Sequence, residues 1–327
     1  MAVPIGINTV NSIGRRFIMP QVTDNVYNSN PLTYRLIARN KKRFEGGFQI
    51  EVPIQWSHFA AGGFYSGFDL LDVTPSDVIK NAAFDFKQAD VPVSVDGATL
   101  IRMNSPETVV NFLGQYFAAA ESELCDIIGA GIWSNVVSNS KAIDGIQGAV
   151  DNGAVAATYG GLSRSANTFW NAQVAAATVP LSFLQLQQLF GNCTQGGRHP
   201  TLIVTTQQVY NIIWALSGGY SAVSPPAYGQ VFPAQPGGED MQLAQPGFSN
   251  LVFNGTPILV DSHCPAGQLY MLNEDYMYLY VNPNRDFFMR DFDAPVNQDA
   301  YVAFILWAGN LVFSNLLRQG KMTGIVA

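Results

Sequence analysis

The sequence predicts an α+β fold built along one long helix. Three observations carry this: an unbroken helical period from Ser105 to Asn135, two alternating strand segments at Phe48–Trp56 and Phe84–Val95, and a run of short strands between Leu251 and Val281. At 327 residues the chain has room for about two domains.

In chain order, residues 1–43 are rich in Asn, Pro and isolated apolar side chains. They show no sustained period beyond a short turn around Leu32–Ile37, and read as an extended arm. Seven of the 17 basic residues (Arg15, Arg16, Arg35, Arg39, Lys41, Lys42 and Arg43) lie in it, with Asp24 as its only acid. On a chain of formal net charge −7 this is a basic arm on an acidic body, suited to solvent or to phosphate on an inner surface.

Next, Phe48, Ile50, Val52, Ile54 and Trp56 alternate with Gln49, Glu51, Pro53 and Gln55, giving a strand with one apolar face. Pro53 cannot donate to a central ladder and confines this strand to an edge or a ribbon. Phe84, Phe86, Val91, Val93 and Val95 resume the alternation and are expected to return as the second strand of a long hairpin. Between them, residues 57–77 set Phe59, Phe64, Tyr65, Phe68, Leu70 and Leu71 among glycines. An isolated ribbon is marginal in water and exposed apolar patches mark interfaces, so these six are candidate contacts to a neighbouring subunit.

The helix begins with a capping Ser105, Pro106 at the first position and Glu107 in the first turn, where the helix dipole favours a carboxylate. Val109, Leu113, Tyr116, Phe117, Ala120, Leu124, Ile127 and Ile128 form the apolar side, opposite Glu107, Asn111, Gln115, Ser122 and Asp126. Its length is about 40 Å at 1.5 Å per residue. Glu121, Glu123 and Asp126 read as solvated or intersubunit positions, and Cys125 as core.

Beyond it come a turn-rich stretch at 158–171, a helix at Leu181–Phe190, a buried strand at Pro200–Val204 and a helix at Gln207–Leu216. Residues 217–249 are crowded with Pro and Gly and read as an extended surface loop. The Asn254-Gly255 hairpin signal and the turn Pro265-Ala266-Gly267 divide the strands of an expected meander through Tyr276–Val281. Two last runs, Ala300–Leu306 and Leu311–Leu316, are read as separate elements because Gly309 and Asn310 interrupt them.

Only 13% of residues are charged, against about 25% in ordinary soluble proteins. Such a chain has little to dress a large wet surface, which points to coverage by further copies of itself. The acidic balance argues against a general nucleic-acid reader. Three scattered cysteines make neither a disulfide nor a zinc framework. The start MAVPIGINTV has no charged segment followed by an apolar one, so no secretory leader is expected. The run Val302–Phe313 is shorter than the roughly 20 residues a spanning helix needs, so no membrane segment is expected.

Asp261, His263 and Cys264 invite a hydrolase reading, since Asp261 and His263 would share one strand face. A Cys/His pair needs a third, orienting group, and a metal needs three or four ligands, with only His58 and His199 left elsewhere. A structural turn is favoured. Gly129-Ala130-Gly131 follows no strand and no G-K-[ST] loop occurs, so neither nucleotide signature is present. No catalytic residue, metal or cofactor is expected.

Two segments carry a family resemblance. One is Gly255-Thr256-Pro257-Ile258-Leu259-Val260-Asp261, followed by Pro265-Ala266-Gly267 and Leu269-Tyr270-Met271-Leu272-Asn273. The other is Tyr159-Gly160-Gly161-Leu162-Ser163-Arg164 with Trp170. With the order of arm, hairpin, long helix and mixed domain, most of residues 44–327 resembles the major capsid proteins of tailed double-stranded-DNA bacteriophages, whose shell-protein fold is shared with herpesviruses and encapsulins. The resemblance implies an N-terminal arm (1–43), an extended β-hairpin loop (44–100), a peripheral domain on a spine helix (101–139 and 291–327) and an α/β axial domain (140–290). It further implies a non-enzymatic subunit whose hexamers and pentamers form an icosahedral virion shell, assembled in the host cytoplasm. Implied partners are further copies, a portal, a separate scaffolding protein, decoration proteins and packaged DNA met without sequence preference. An encapsulin-like bacterial compartment is the alternative, disfavoured because such shells usually begin with a helix.

Overall fold

The computed structural model describes residues 30–44, 46–59, 61–71, 73–97, 99, 106–135, 141–177, 180–216, 232–233, 251–295 and 298–326. In order these form α1 (Pro31–Asn40), β1 (Lys41–Arg43), β2 (Ile50–Gln55), β3 (Ile79–Phe84), β4 (Lys87–Asp96), α2 (Pro106–Ile132), α3 (Ile146–Ala149), β5 (Thr158–Tyr159) and β6 (Leu162–Ser163). There follow β7 (Gln173–Ala176), α4 (Phe183–Cys193), β8 (Leu202–Thr205), α5 (Gln207–Leu216), β9 (Phe232–Pro233), β10 (Leu251–Phe253) and β11 (Thr256–Val260). The chain closes with β12 (Leu269–Leu272), β13 (Met277–Val281), β14 (Phe288–Asp293), β15 (Ala300–Phe313) and β16 (Gly320–Thr323).

The predicted long helix is α2. Leu113, Phe117, Ala120, Leu124 and Ile128 recur at helical spacing and are buried, whereas Tyr116 and Ile127, expected on the same side, are exposed. The buried face lies on a five-stranded sheet centred on β15, where Val91, Val93 and Val95 of β4 point inward and Phe117 meets Phe292 edge-on at 5.9 Å. β15 pairs antiparallel with β4 from Ala300–Asp96 to Gly309–Lys87 along one edge. Its other edge takes β14 and then β13, and β1 adds parallel to β13.

The second sheet has the order β7-β16-β12-β8-β11-β10-β9 and is covered on both faces. Leu202, Val204, Tyr270 and Leu272 join the core around α2, while Ile203, Leu269, Met271 and Met322 pack with Leu186, Leu189, Val209 and Ile213 from α4 and α5. Two buried faces explain why β8 and β12 read as continuous apolar runs instead of alternating ones. A capping box between Ser182 and Gln185 starts α4.

Four expectations are corrected. Residues 31–43 are not part of an arm: Leu32 and Leu36 of α1 are buried and β1 docks on β13. Residues 1–29, with Arg15 and Arg16, lie outside the described residues. Second, β2 pairs with β3 alone, from Ile50–Phe84 to Gln55–Ile79, and Val91, Val93 and Val95 belong to the β15 sheet. Third, residues 251–281 are no meander. β8, earlier in sequence, lies between β11 (parallel) and β12 (antiparallel), and β13 leaves for the other sheet. Fourth, Gly309 and Asn310 do not break β15. The loop read at 217–249 lies outside the described residues except Phe232–Pro233, which pairs with β10. The expected domain limits cut across the sheets, since β4, β13 and β15 share one and β16 sits in the other.

Gly309 survives in a strand because its neighbours leave no room for more. A Cβ there would lie 2.5 Å from the Tyr280 carbonyl oxygen and 2.7 Å from the Trp307 ring. Asn310 spends its amide inside: Nδ2 donates to Asp85 O and Asp144 Oδ2, both at 2.8 Å, and Oδ1 accepts from Asp144 N at 3.0 Å. Gly309→Ala is therefore expected to cost about 1–3 kcal/mol by overpacking, read from urea unfolding.

Candidate assembly interface

The root of the β2–β3 hairpin is fixed to its own body. Ile50, Val52 and Ile54 are buried with Ala82 and Phe84 against the β5–β6 turn. Ala83 N donates to Gly160 O at 3.0 Å, and Lys80 Nζ donates to Asn167 Oδ1 at 2.7 Å while lying 4.6 Å from the Trp56 ring. Trp56 stacks on Phe169 at 5.8 Å. Gly160 has φ +56°, and a Cβ on it would sit 2.6 Å from the Phe84 ring, so this glycine permits both the turn and the close approach of the hairpin.

The same turn region is held from below. Trp170 Nε1 donates to Tyr159 O at 2.9 Å, and Phe313 N donates to the Tyr159 hydroxyl at 3.3 Å. Arg164, buried, donates to the carbonyls of Gly148 (2.8 Å), Ala149 (2.7 Å) and Asp151, satisfying the end of α3. Asp151 accepts from Gly153 N and Val155 N at 2.8 Å and from Lys321 Nζ at 2.8 Å. Burial alone would raise its pKa. The Lys321 hydrogen bond and charge and the amides of Val155 and Ala156 outweigh burial and hold the carboxyl at about 2.

Past this root the apolar side chains of the hairpin face solvent. Phe64, Phe68 and Leu70 are as exposed as in an extended peptide (110%, 106% and 100%), and Phe59, Tyr65 and Leu71 are more than half exposed. A short turn orders part of the tip, with Ser66 N donating to Asp69 Oδ2 at 2.8 Å. Phe48, Val73 and Ile79 share this exposure and were missed in sequence, although their apolar character among polar neighbours was the available signal. The apolar tip is the largest concentration of uncovered hydrophobic side chains among the described residues, far beyond the scattered ones a monomer shows.

The basic residues scatter into different roles. Arg35 is buried and forms a two-point pair with Glu274 (Nε–Oε1 2.5 Å, Nη2–Oε2 3.0 Å), so it is a structural cation and faces no phosphate. Arg39 lies 3.8 Å from the same carboxylate, and Lys41 pairs with Asp286. Lys42 sits 3.5 Å above the Tyr278 ring and 5.7 Å from Tyr280. Arg43 is exposed. Arg35→Met should cost about 2–3 kcal/mol by stranding Glu274, and Arg35→Met/Glu274→Leu should recover most of it in thermal denaturation.

Asp261, His263 and Cys264 form a turn. The buried Asp261 accepts the His263 amide at 2.9 Å, and the His263 ring lies 3.8 Å from Asp261 and 3.7 Å from Asp126. Burial, then Asp261, pushes the Cys264 thiol far above its usual pKa, which removes the thiolate a nucleophile needs. Burial likewise pushes Cys193 and Cys125 up to about 12, with Glu121 and Asp126 adding to the effect at Cys125. Glu123 and Asp126 are exposed as expected, but Glu121 is buried, because residue 121 falls on the core side of α2 beside Ala120 and Leu124. Among the described residues no group of three or more His, Cys, Asp or Glu could hold a metal ion, and no helix is long and apolar enough to cross a membrane.

No protein-family model matches the sequence, and no curated protein matches it. Solved structures do. The capsid asymmetric unit of cyanophage A-1(L) superposes with a TM-score of 0.63 at 17% identity, covering 91% of this chain and 93% of that one. The chain has the fold of phage capsid proteins. A structure from Mycobacterium phage Bobi (TM-score 0.57, 10% identity, 89% and 91% covered) and the capsid of a native GTA particle (TM-score 0.56, 12% identity, 89% and 90% covered) superpose as well. Within that fold this chain carries a solvent-directed hairpin tip on a root clamped to its own body.

Proposed function

We propose that this chain is a major capsid protein: a non-enzymatic subunit that assembles as hexamers and pentamers into an icosahedral shell around double-stranded DNA. The observation that carries this reading is the hairpin tip, an apolar surface that its own chain leaves uncovered on a root anchored to the body. Superposition over 93% of the cyanophage A-1(L) capsid chain supports it. On this reading the virion is the protein's location, assembly occurs in the host cytoplasm, and a portal and scaffolding or decoration proteins are its partners. Contacts to packaged DNA are sequence-independent.

Expression of the full chain, alone and with neighbouring gene products, followed by electron microscopy and assay of particle contents, tests the reading. Closed shells that hold DNA when made during infection are expected. A permanent monomer under all conditions, or shells filled with a protein cargo, would overturn it.

A further inference from the structure

The hairpin tip and the surface around β1 and β13 are opposite in charge and alike in being aromatic. From residue 57 to 78 the chain has no Lys or Arg, while the exposed Asp69 and Asp77 stand among the exposed apolar side chains. Around β13 the balance reverses. Lys42 and Arg43 are exposed on β1 and pair with no acid among the described residues. Arg39 reaches the nearby Glu274 at 3.8 Å, and Arg198, 62% exposed, pairs with Asp275 beneath the Tyr278 hydroxyl, which donates to Asp275 O at 2.6 Å. Arg285 extends from the following turn to Gln88 at 2.7 Å. Two acids on this surface, Asp275 and Asp286, already have Arg198 and Lys41 as partners.

The floor of the basic surface is apolar. Tyr278 and Tyr280 point outward from β13 because Met277, Leu279 and Val281 take the inward positions. Tyr280 meets Phe44 at 6.4 Å, and Phe44 meets Phe86 at 5.0 Å. Phosphate needs only the cations. An aromatic floor with cations above it instead fits a partner carrying aromatic side chains and carboxylates together. The tip, with Phe59, Phe64, Tyr65 and Phe68 beside Asp69 and Asp77, has that composition.

Resting on the reading of the tip as an intersubunit contact, we propose that the β1–β13 surface, centred on Lys42, Arg43, Tyr278 and Tyr280, receives the acidic hairpin tip of a second copy. The contact joins two different surfaces of identical chains, the head-to-tail kind that closes into rings. Charge selects the register, and the rings and aliphatic side chains supply the buried area.

A charge exchange in the full-length protein tests this, with sedimentation as the readout of shell yield. Lys42→Glu/Arg43→Glu should lower the yield about tenfold or more at low salt. Asp69→Asn/Asp77→Asn, which keeps an acceptor for Ser66 N, should lower it as well. Combining Lys42→Glu/Arg43→Glu with Asp69→Lys/Asp77→Lys should restore it and so show that the reversed subunits fold. Failure of the combined variant to recover overturns the proposal, and normal yield with only DNA retention reduced overturns it and assigns the cations to nucleic acid. If these charge variants assemble normally while apolar substitutions in the tip still block shells, this docking site is wrong and the capsid reading stands.

Discussion

Phe64→Ser/Phe68→Ser/Leu70→Ser is expected to abolish shell formation and leave the subunit folded. None of the three side chains is covered by its own chain, so the substitutions remove no intrachain packing, and surface changes of this kind alter stability by no more than about 0.5 kcal/mol. In an assembled particle the same atoms would be buried, where each Phe or Leu contributes about 1.5–3 kcal/mol. Loss of three such anchors at every copy of a repeated contact multiplies through the lattice. Thermal melting unchanged within a few degrees, together with loss of the fast-sedimenting species, is the expected pair of results. Shells of normal yield would show that the tip is not an assembly contact.

Lys321→Met is expected to have the largest effect on the subunit itself, about 3–5 kcal/mol, because it strands a buried carboxylate. Asp151 and Lys321 are both nearly inaccessible, and the ammonium also lies 3.4 Å from the Gln147 carbonyl. The pair ties β16 to the turn after α3, and Arg164 holds that same turn, so one substitution loosens the support of the hairpin root. The acid dependence has a definite sign. Asp151 is depressed from 3.8 to about 2, so its contribution is fully present above pH ~4 and fades as pH falls towards 2. Urea unfolding of the wild type from pH 5 to 2 should show this loss, and Lys321→Met should start lower and lose less over that window. Equal acid sensitivity in the two proteins would remove Asp151 from this role.

Elements whose chemistry is local were legible in the sequence. The α2 period and the Asn254-Gly255 turn depend on neighbours a few residues away, and both occur. What failed depends on partners distant in sequence. Val91, Val93 and Val95 fit a hairpin and a central sheet equally well by alternation, and only β15, some two hundred residues later, decides between them. Arg35 looked like part of a basic arm because its partner, Glu274, lies 239 positions away. Gly309-Asn310 looked like a break since nothing nearby shows that Tyr280 and Trp307 crowd the one and Asp144 engages the other. At the candidate site the six tip residues were visible as apolar side chains with no local reason to be there. The aromatic floor beneath Lys42 was hidden in the plain alternation of Met277–Val281.

One feature of the first sheet bears on how the protein is made. β15 is the shared partner of β4, β13 and β14, and it is synthesised long after β4 and α2. Until then β4 and the α2 face above it have no lattice to join, and pairing across so long a stretch of chain is slow. A chain that has not yet made β15 therefore lacks both the first sheet and the Phe313 amide that holds the Tyr159 hydroxyl beneath the hairpin root.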